Sequence, residues 1–209
     1  MAEGKEMTKT TDRTYKFDYL SDEAKETART WWRDATGHDC WYDAVFEDFT
    51  EVCKILGVDL NENGIRFCGF WSQGAGAVFA GKYSHSKGSV ERIKEYAPND
   101  EELQRIAESL FLMQLVNGFN VCAKITTAGM YCHEYSMRID VGEWDDATDE
   151  AFLRAEACVV ENMRELARWL YSKLDQEYER LMSDENVDES IRINGYEFNE
   201  DGTISLKFT

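Results

Sequence analysis

The chain has 209 residues and carries 41 Asp and Glu against 23 Lys and Arg, a formal charge of −18. A surface this anionic is repelled by nucleic acid and by anionic lipid, which argues against direct binding to either and points to a basic partner. Hydrophobic residues at 43% and aromatic residues at 13% are those of a folded protein, and no apolar run approaches the ~20 residues that a bilayer-spanning helix needs.

Residues 1–13 are polar and threonine-rich, so they read as a flexible tail with no secretory signal, and a cytoplasmic location is expected. Residues 14–209 contain a single proline, Pro98, and nothing like a linker, which predicts one α+β domain. Tyr15, Phe17 and Tyr19 alternate with polar residues and predict a first strand. Ser21, Asp22 and Glu23 then predict a helix start, because a serine caps the first amides and the dipole favours carboxylates in the first turn. Ala24, Ala28, Trp31, Trp32 and Ala35 form its apolar stripe, and Gly37 stops it. A second helix is expected over residues 39–56, with Val45, Phe49, Val52 and Leu56 inward and Gly57 as its terminator.

Two hairpins follow. In the first, Ile65, Phe67, Gly69 and Trp71 share one face, and after a five-residue loop over 72–76 the return strand offers Ala77, Phe79, Gly81 and Tyr83. That loop places Gly69 opposite Phe79 and Phe67 opposite Gly81, each glycine covered by a ring. Helices near residues 90–96 and 100–116 lead to the second hairpin, with strands over 119–127 and 131–141. A loop of Ala128, Gly129 and Met130 pairs Ile125 with His133 and puts Tyr131, His133, Tyr135 and Met137 on one face. A long helix is predicted over residues 149–182, with Phe152, Val159, Met163, Leu166, Leu170, Leu174 and Tyr178 along one side. A tail strand over 196–208 turns at Glu200, Asp201 and Gly202. The fold expected is α+β: an antiparallel sheet of two hairpins plus terminal strands, packed against several helices that include one long C-terminal helix.

Few residues point to chemistry. The six cysteines lack CxxC pairing and read as buried free thiols. The glycines from Gly74 to Gly81 precede a strand rather than a helix, so they suit a hairpin and not a phosphate loop. Of the three histidines, His38 lies beside Asp39, Cys40 and Asp43, and His133 beside Cys132 and Glu134. Neighbours on a strand face opposite sides, so Cys132 and His133 cannot hold one ion, and neither a metal nor a cofactor is expected. A pocket around Trp71, Gln73, His133 and Tyr135 is the candidate small-molecule site, because histidine titrates near neutral pH. The stronger signal is acidic. Asp43, Glu47 and Glu51 stand at i, i+4 and i+8 on one helix face; Asp140, Glu143, Asp145, Asp146, Asp149 and Glu150 follow without a basic residue; Asp184, Glu185, Asp188 and Glu189 form a third run.

The stretch from Phe67 to Gly81, with its Ser72-Gln73-Gly74-Ala75-Gly76-Ala77 turn, resembles a pattern in small acidic accessory proteins of phages and prophages. Those proteins share a Tyr-x-Phe-x-x-Leu-Ser start, as at Tyr15 to Ser21, a Trp/Asp-rich second helix, as from Trp41 to Phe49, and a His-Glu-Tyr stretch, as from His133 to Tyr135. The resemblance covers residues 14–141, and Ala75 stands where the pattern often has Asp. It implies a phage-encoded protein acting in the host cytoplasm. Charge and resemblance together lead to an expected binding protein rather than an enzyme, one that inhibits a basic host nucleic-acid-handling or defence complex of the CRISPR or restriction kind, by DNA mimicry. The alternatives are a small-molecule or nucleotide-binding protein or enzyme using the sheet face around His133, and an antitoxin-like partner protein.

Overall fold

The computed structural model describes residues 13–36, 41–70, 74–142 and 148–205. In chain order its elements are β1 (Tyr15–Lys16), α1 (Asp22–Thr36), α2 (Asp43–Leu56), β2 (Val58–Cys68), β3 (Gly76–Tyr83), α3 (Ser89–Tyr96), α4 (Glu101–Val116), β4 (Ala123–Thr127), β5 (Met137–Val141), α5 (Asp149–Met182), α6 (Asp184–Asn194) and β6 (Glu197–Phe198). The fold is α+β, with antiparallel sheets and a long C-terminal helix. The chain groups into two compact units, one made of residues 42–177 and the other of the flanking segments 1–41 and 178–209. No helix among the described residues is long and apolar enough to cross a membrane.

The unit of residues 42–177 is built on a four-stranded antiparallel sheet in the order β2-β3-β4-β5. Alternation along β3 and β4 sorts the two faces: Tyr83, Ala123 and Ile125 are buried, while Lys82 and Lys124 are exposed. The buried side receives Phe49 of α2, whose ring meets Phe79 edge-on at 5.3 Å and stacks on Trp169 of α5 at 6.3 Å. α4 lies along α5, held by Asn162 Nδ2 donating to Ser109 Oγ at 2.9 Å and by the Arg105–Glu165 ion pair. Asp100 caps α4 by accepting from the Leu103 amide and also accepts from Trp169 Nε1 at 2.9 Å. Between α4 and β4 the buried Gln114 closes the connection: its Nε2 donates to Val121 O at 2.7 Å and to the Tyr83 hydroxyl at 3.2 Å, and its Oε1 accepts from the Val121 amide.

In the flanking unit β1 pairs antiparallel with β6 as a separate two-stranded sheet. Phe17, Leu20, Ala24, Ala28, Trp32, Val187, Ile191 and Phe198 form its core. Ser21 Oγ accepts from the Ala24 amide, as the helix-start expectation requires. Arg29 of α1 grips Asp188 of α6 in a bidentate pair, Nε–Oδ1 at 2.7 Å and Nη2–Oδ2 at 2.8 Å, with both side chains less than 20% exposed.

The structure corrects the sequence reading in several places. The first strand ends after Lys16, and residues 17–19 form a 3-10 turn that buries Phe17. The first hairpin closes at Cys68 and Gly76, because Gly69 takes φ +45° and leaves the strand. Phe67 therefore faces Ala77, and Gly81 faces Leu60 beyond a bulge, so the paired ring-over-glycine arrangement does not form. In the second hairpin Ile125 faces Ile139, not His133, and the connection runs over residues 128–136 with a 3-10 turn at Glu134–Ser136. The acidic run after Ser183 is a helix, α6, with Ser183 Oγ accepting from the Asn186 amide as its cap. Gly37, the cluster of His38, Asp39 and Cys40, and the last residues of the tail strand lie outside the described residues. Cys53, Cys68, Cys122, Cys132 and Cys158 are free thiols, of which Cys53 and Cys132 are buried as expected, Cys68 and Cys158 are half-buried and Cys122 is exposed.

Candidate functional site

α2 sorts its side chains by helical period. Phe49, Val52, Cys53 and Leu56 point into the core, and Asp43, Glu47, Asp48 and Glu51 are exposed. The helix starts without a side-chain cap, so Asp43 in the first turn complements the free amides there. It ends at Gly57 with φ +89°, whose amide donates back to Cys53 and Lys54. An added Cβ at Gly57 would sit 2.1 Å from the Ser84 carbonyl oxygen, so the cap also fixes how closely α2 meets the end of β3.

The exposed face of α2 and Tyr96 of α3 line an open concavity of about 750 Å³. Its charged lining is Asp43, Glu47, Asp48 and Glu51 with a single cation, Lys54. Lys54 pairs with Glu51, and Tyr96 donates its hydroxyl hydrogen to Asp48. The hydrogen bond to Asp48, with burial and Glu51 adding to it, pushes the Tyr96 hydroxyl up to about 12. Asp43, Glu47 and Glu51 advance by about 6 Å per step along the helix axis, and Asp43 and Glu47 lie outside these two pairings. Such a surface can offer hydrogen-bond acceptors and negative potential to guanidinium and ammonium groups.

The other expected acidic residues are placed differently. Asp140 of β5 accepts from Arg138 Nε at 2.8 Å, faces Lys124 across the sheet, and lines a different concavity. Asp149 and Glu150 open α5, where Glu150 pairs with Arg154. Glu143, Asp145 and Asp146 lie outside the described residues. Asp184 and Asp188 are tied to Arg29 and Arg33 in the flanking unit. Within residues 42–177, Asp140 and the α2 carboxylates thus line different concavities.

Of the candidate pocket residues, Trp71 and Gln73 lie outside the described residues. His133 sits on a turn, not a strand: its Nδ1 faces the Tyr135 amide at 3.3 Å and Glu134 Oε2 at 3.0 Å, and its ring stacks on Tyr135 at 5.3 Å. Tyr131 and Tyr135 are 69% and 65% exposed, so the expected apolar strand face around His133 is instead surface. The Arg164 guanidinium covers the Tyr135 ring at 4.9 Å, and Arg168 pairs with Glu134. Among the described residues no group of three or more His, Cys, Asp or Glu side chains could hold a metal ion.

Sequence spacing found Asp43, Glu47 and Glu51 but passed over Asp48 and Tyr96. Asp48 falls off the i, i+4 series, and Tyr96 is supplied by another helix.

A family model described as Domain of unknown function (DUF8835) matches residues 41–184. The chain belongs to that family. The DUF8835 match contains the four-stranded sheet, α2 with its carboxylate ridge, and Tyr96, whereas Arg29 and Asp188 fall outside it. Neither a curated protein nor a solved structure shows significant similarity to the chain.

Proposed function

We propose that this DUF8835 protein is a binding protein that presents the α2 ridge to a basic surface on a nucleic-acid-handling complex and thereby blocks it, as a phage-encoded inhibitor of a host defence system. The observation that carries this reading is the exposed face of α2, where Asp43, Glu47, Asp48 and Glu51 meet one lysine in a shared open concavity. From Asp43 to Glu51 the ridge spans about 12 Å. Its steps of about 6 Å suit alternate phosphate positions of one DNA strand, which advance about 3.4 Å each. Mimicry of DNA charge is therefore local to α2 and does not draw on the whole formal charge. An antitoxin-like role would use the same ridge against a basic toxin. The His133 turn, flanked by exposed tyrosines, gives less support to a ligand-binding role.

The test is competition. Purified CRISPR and restriction complexes carrying labelled duplex DNA would be titrated with the wild-type chain across a salt series. The quadruple variant Asp43→Asn, Glu47→Gln, Asp48→Asn, Glu51→Gln is expected to lose DNA displacement while keeping its circular dichroism. Equal displacement by both proteins, or displacement insensitive to salt, would exclude the ridge as the inhibitory surface.

A further inference from the structure

Away from α2, the solvent-facing side of the four-stranded sheet carries an unusual row. The register aligns Asp59, Lys82, Lys124 and Asp140 across all four strands, and all four side chains are exposed. Lys82 and Lys124 are directly opposed on neighbouring strands. Like charges in that position destabilise a sheet. Neither ammonium has a carboxylate within 4.0 Å among the described residues, although Asp59 and Asp140 flank them in register. Asp140 is instead engaged by Arg138. The row forms the floor of a concavity of about 410 Å³ whose lining also includes Ser84 and Cys122. That volume lies in the range of small-molecule sites, about 300–1,000 Å³.

We propose that this sheet face is a binding site for a small dianionic oxyanion, inorganic phosphate or the phosphate group of a monoester such as a nucleoside monophosphate, clamped between Lys82 and Lys124. Strands about 4.8 Å apart put a phosphate between the two ammonium groups at roughly 4 Å from each and roughly 7 Å from each flanking carboxylate. Coulomb energy falls as the inverse of distance, so each attraction exceeds each repulsion by about 1.7-fold at equal screening. The pairing of Asp140 with Arg138 widens that margin. Ser84 adds a hydroxyl to the lining for a phosphate oxygen, and the remaining volume is open to the rest of a monoester. A bound anion would relieve the lysine–lysine repulsion, which links occupancy to stability. This site shares no residue with the α2 ridge, so the two readings fail independently.

The experiment is thermal unfolding and titration calorimetry of the whole chain with inorganic phosphate, adenosine monophosphate, sulfate and chloride at matched ionic strength. Phosphate is expected to raise Tm by several degrees above chloride. A larger rise with adenosine monophosphate identifies a monoester ligand, and an equal rise identifies free phosphate. Lys82→Gln and Lys124→Gln should each weaken binding at least tenfold while leaving the unliganded Tm unchanged or higher. Lys54→Gln on α2 should leave binding intact. No phosphate effect beyond chloride at millimolar concentration, or an effect retained in both lysine variants, overturns the proposal.

Discussion

Tyr96 donates its hydroxyl hydrogen to Asp48, joining the last turn of α3 to the acidic face of α2. One carboxylate of the ridge is thus already partnered from within. Tyr96→Phe should free Asp48 and leave overall stability nearly unchanged, since the tyrosine is 43% exposed. Absorbance titration at alkaline pH checks it: the wild type should show two tyrosines ionising near pH 12, Tyr83 and Tyr96, and the variant only one.

Burial pushes the Tyr83 hydroxyl up to about 12, against a smaller opposing effect of its hydrogen bond from Gln114. The unfolded chain releases this proton near pH 10, while the folded chain holds it to about 12. Stability should therefore be intact below pH 10 and fall by roughly 2–3 kcal/mol as pH rises from 10 to 12. Urea midpoints measured from pH 8 to 12 would show the decline, and a flat profile would refute it.

Gln114 satisfies both backbone polar groups of Val121 as well as the Tyr83 hydroxyl. Gln114→Leu keeps the volume but leaves these buried groups without partners, at an expected cost of about 2–4 kcal/mol. Amide hydrogen exchange should quicken first at Val121 and the start of β4.

Removing Asp188 leaves the Arg29 guanidinium, 19% exposed, without its bidentate partner. Asp188→Ala is expected to destabilise the chain by about 2–3 kcal/mol, whereas Arg29→Met with Asp188→Leu should recover much of that loss. A double-mutant cycle by chemical denaturation tests this coupling. Additive effects would show that the pair contributes little.

Gly57→Ala forces a side chain into φ +89° and against the Ser84 carbonyl oxygen. The variant should lose at least ~2 kcal/mol, from backbone strain plus displacement of the end of β3. A Tm within a degree of wild type would show that the α2 cap relaxes freely.

The helices were legible because their signals are local. Periodic apolar residues and charged ends bound α5 at Asp149 and Met182, where the sequence reading puts them. Hairpin registers were not legible, since alternation assigns each side chain to a face but a slip by an even number of residues keeps every assignment. Ile125 and Ile139 remain inward whether or not His133 is thought to oppose them. The decisive facts were backbone ones: the left-handed Gly69 and the 3-10 turn after His133. α6 was hidden by its own charge. The buried Val187 and Ile191 give the helical spacing, but the carboxylates around them drew attention to the surface. In the site, helical spacing exposed most of the α2 ridge, while the Lys82–Lys124 opposition depends on strand order and could not be read from either segment alone.

The capture of Asp184 and Asp188 by Arg29 and Arg33 changes what a partner feels. At physiological ionic strength the electric field of a surface charge decays over about 8 Å. An approaching protein therefore senses the charges it faces, and a neutralised patch is nearly silent to it. The formal charge of −18 therefore overstates what the α1–α6 face offers, because two of its carboxylates are spent on arginines within the same unit.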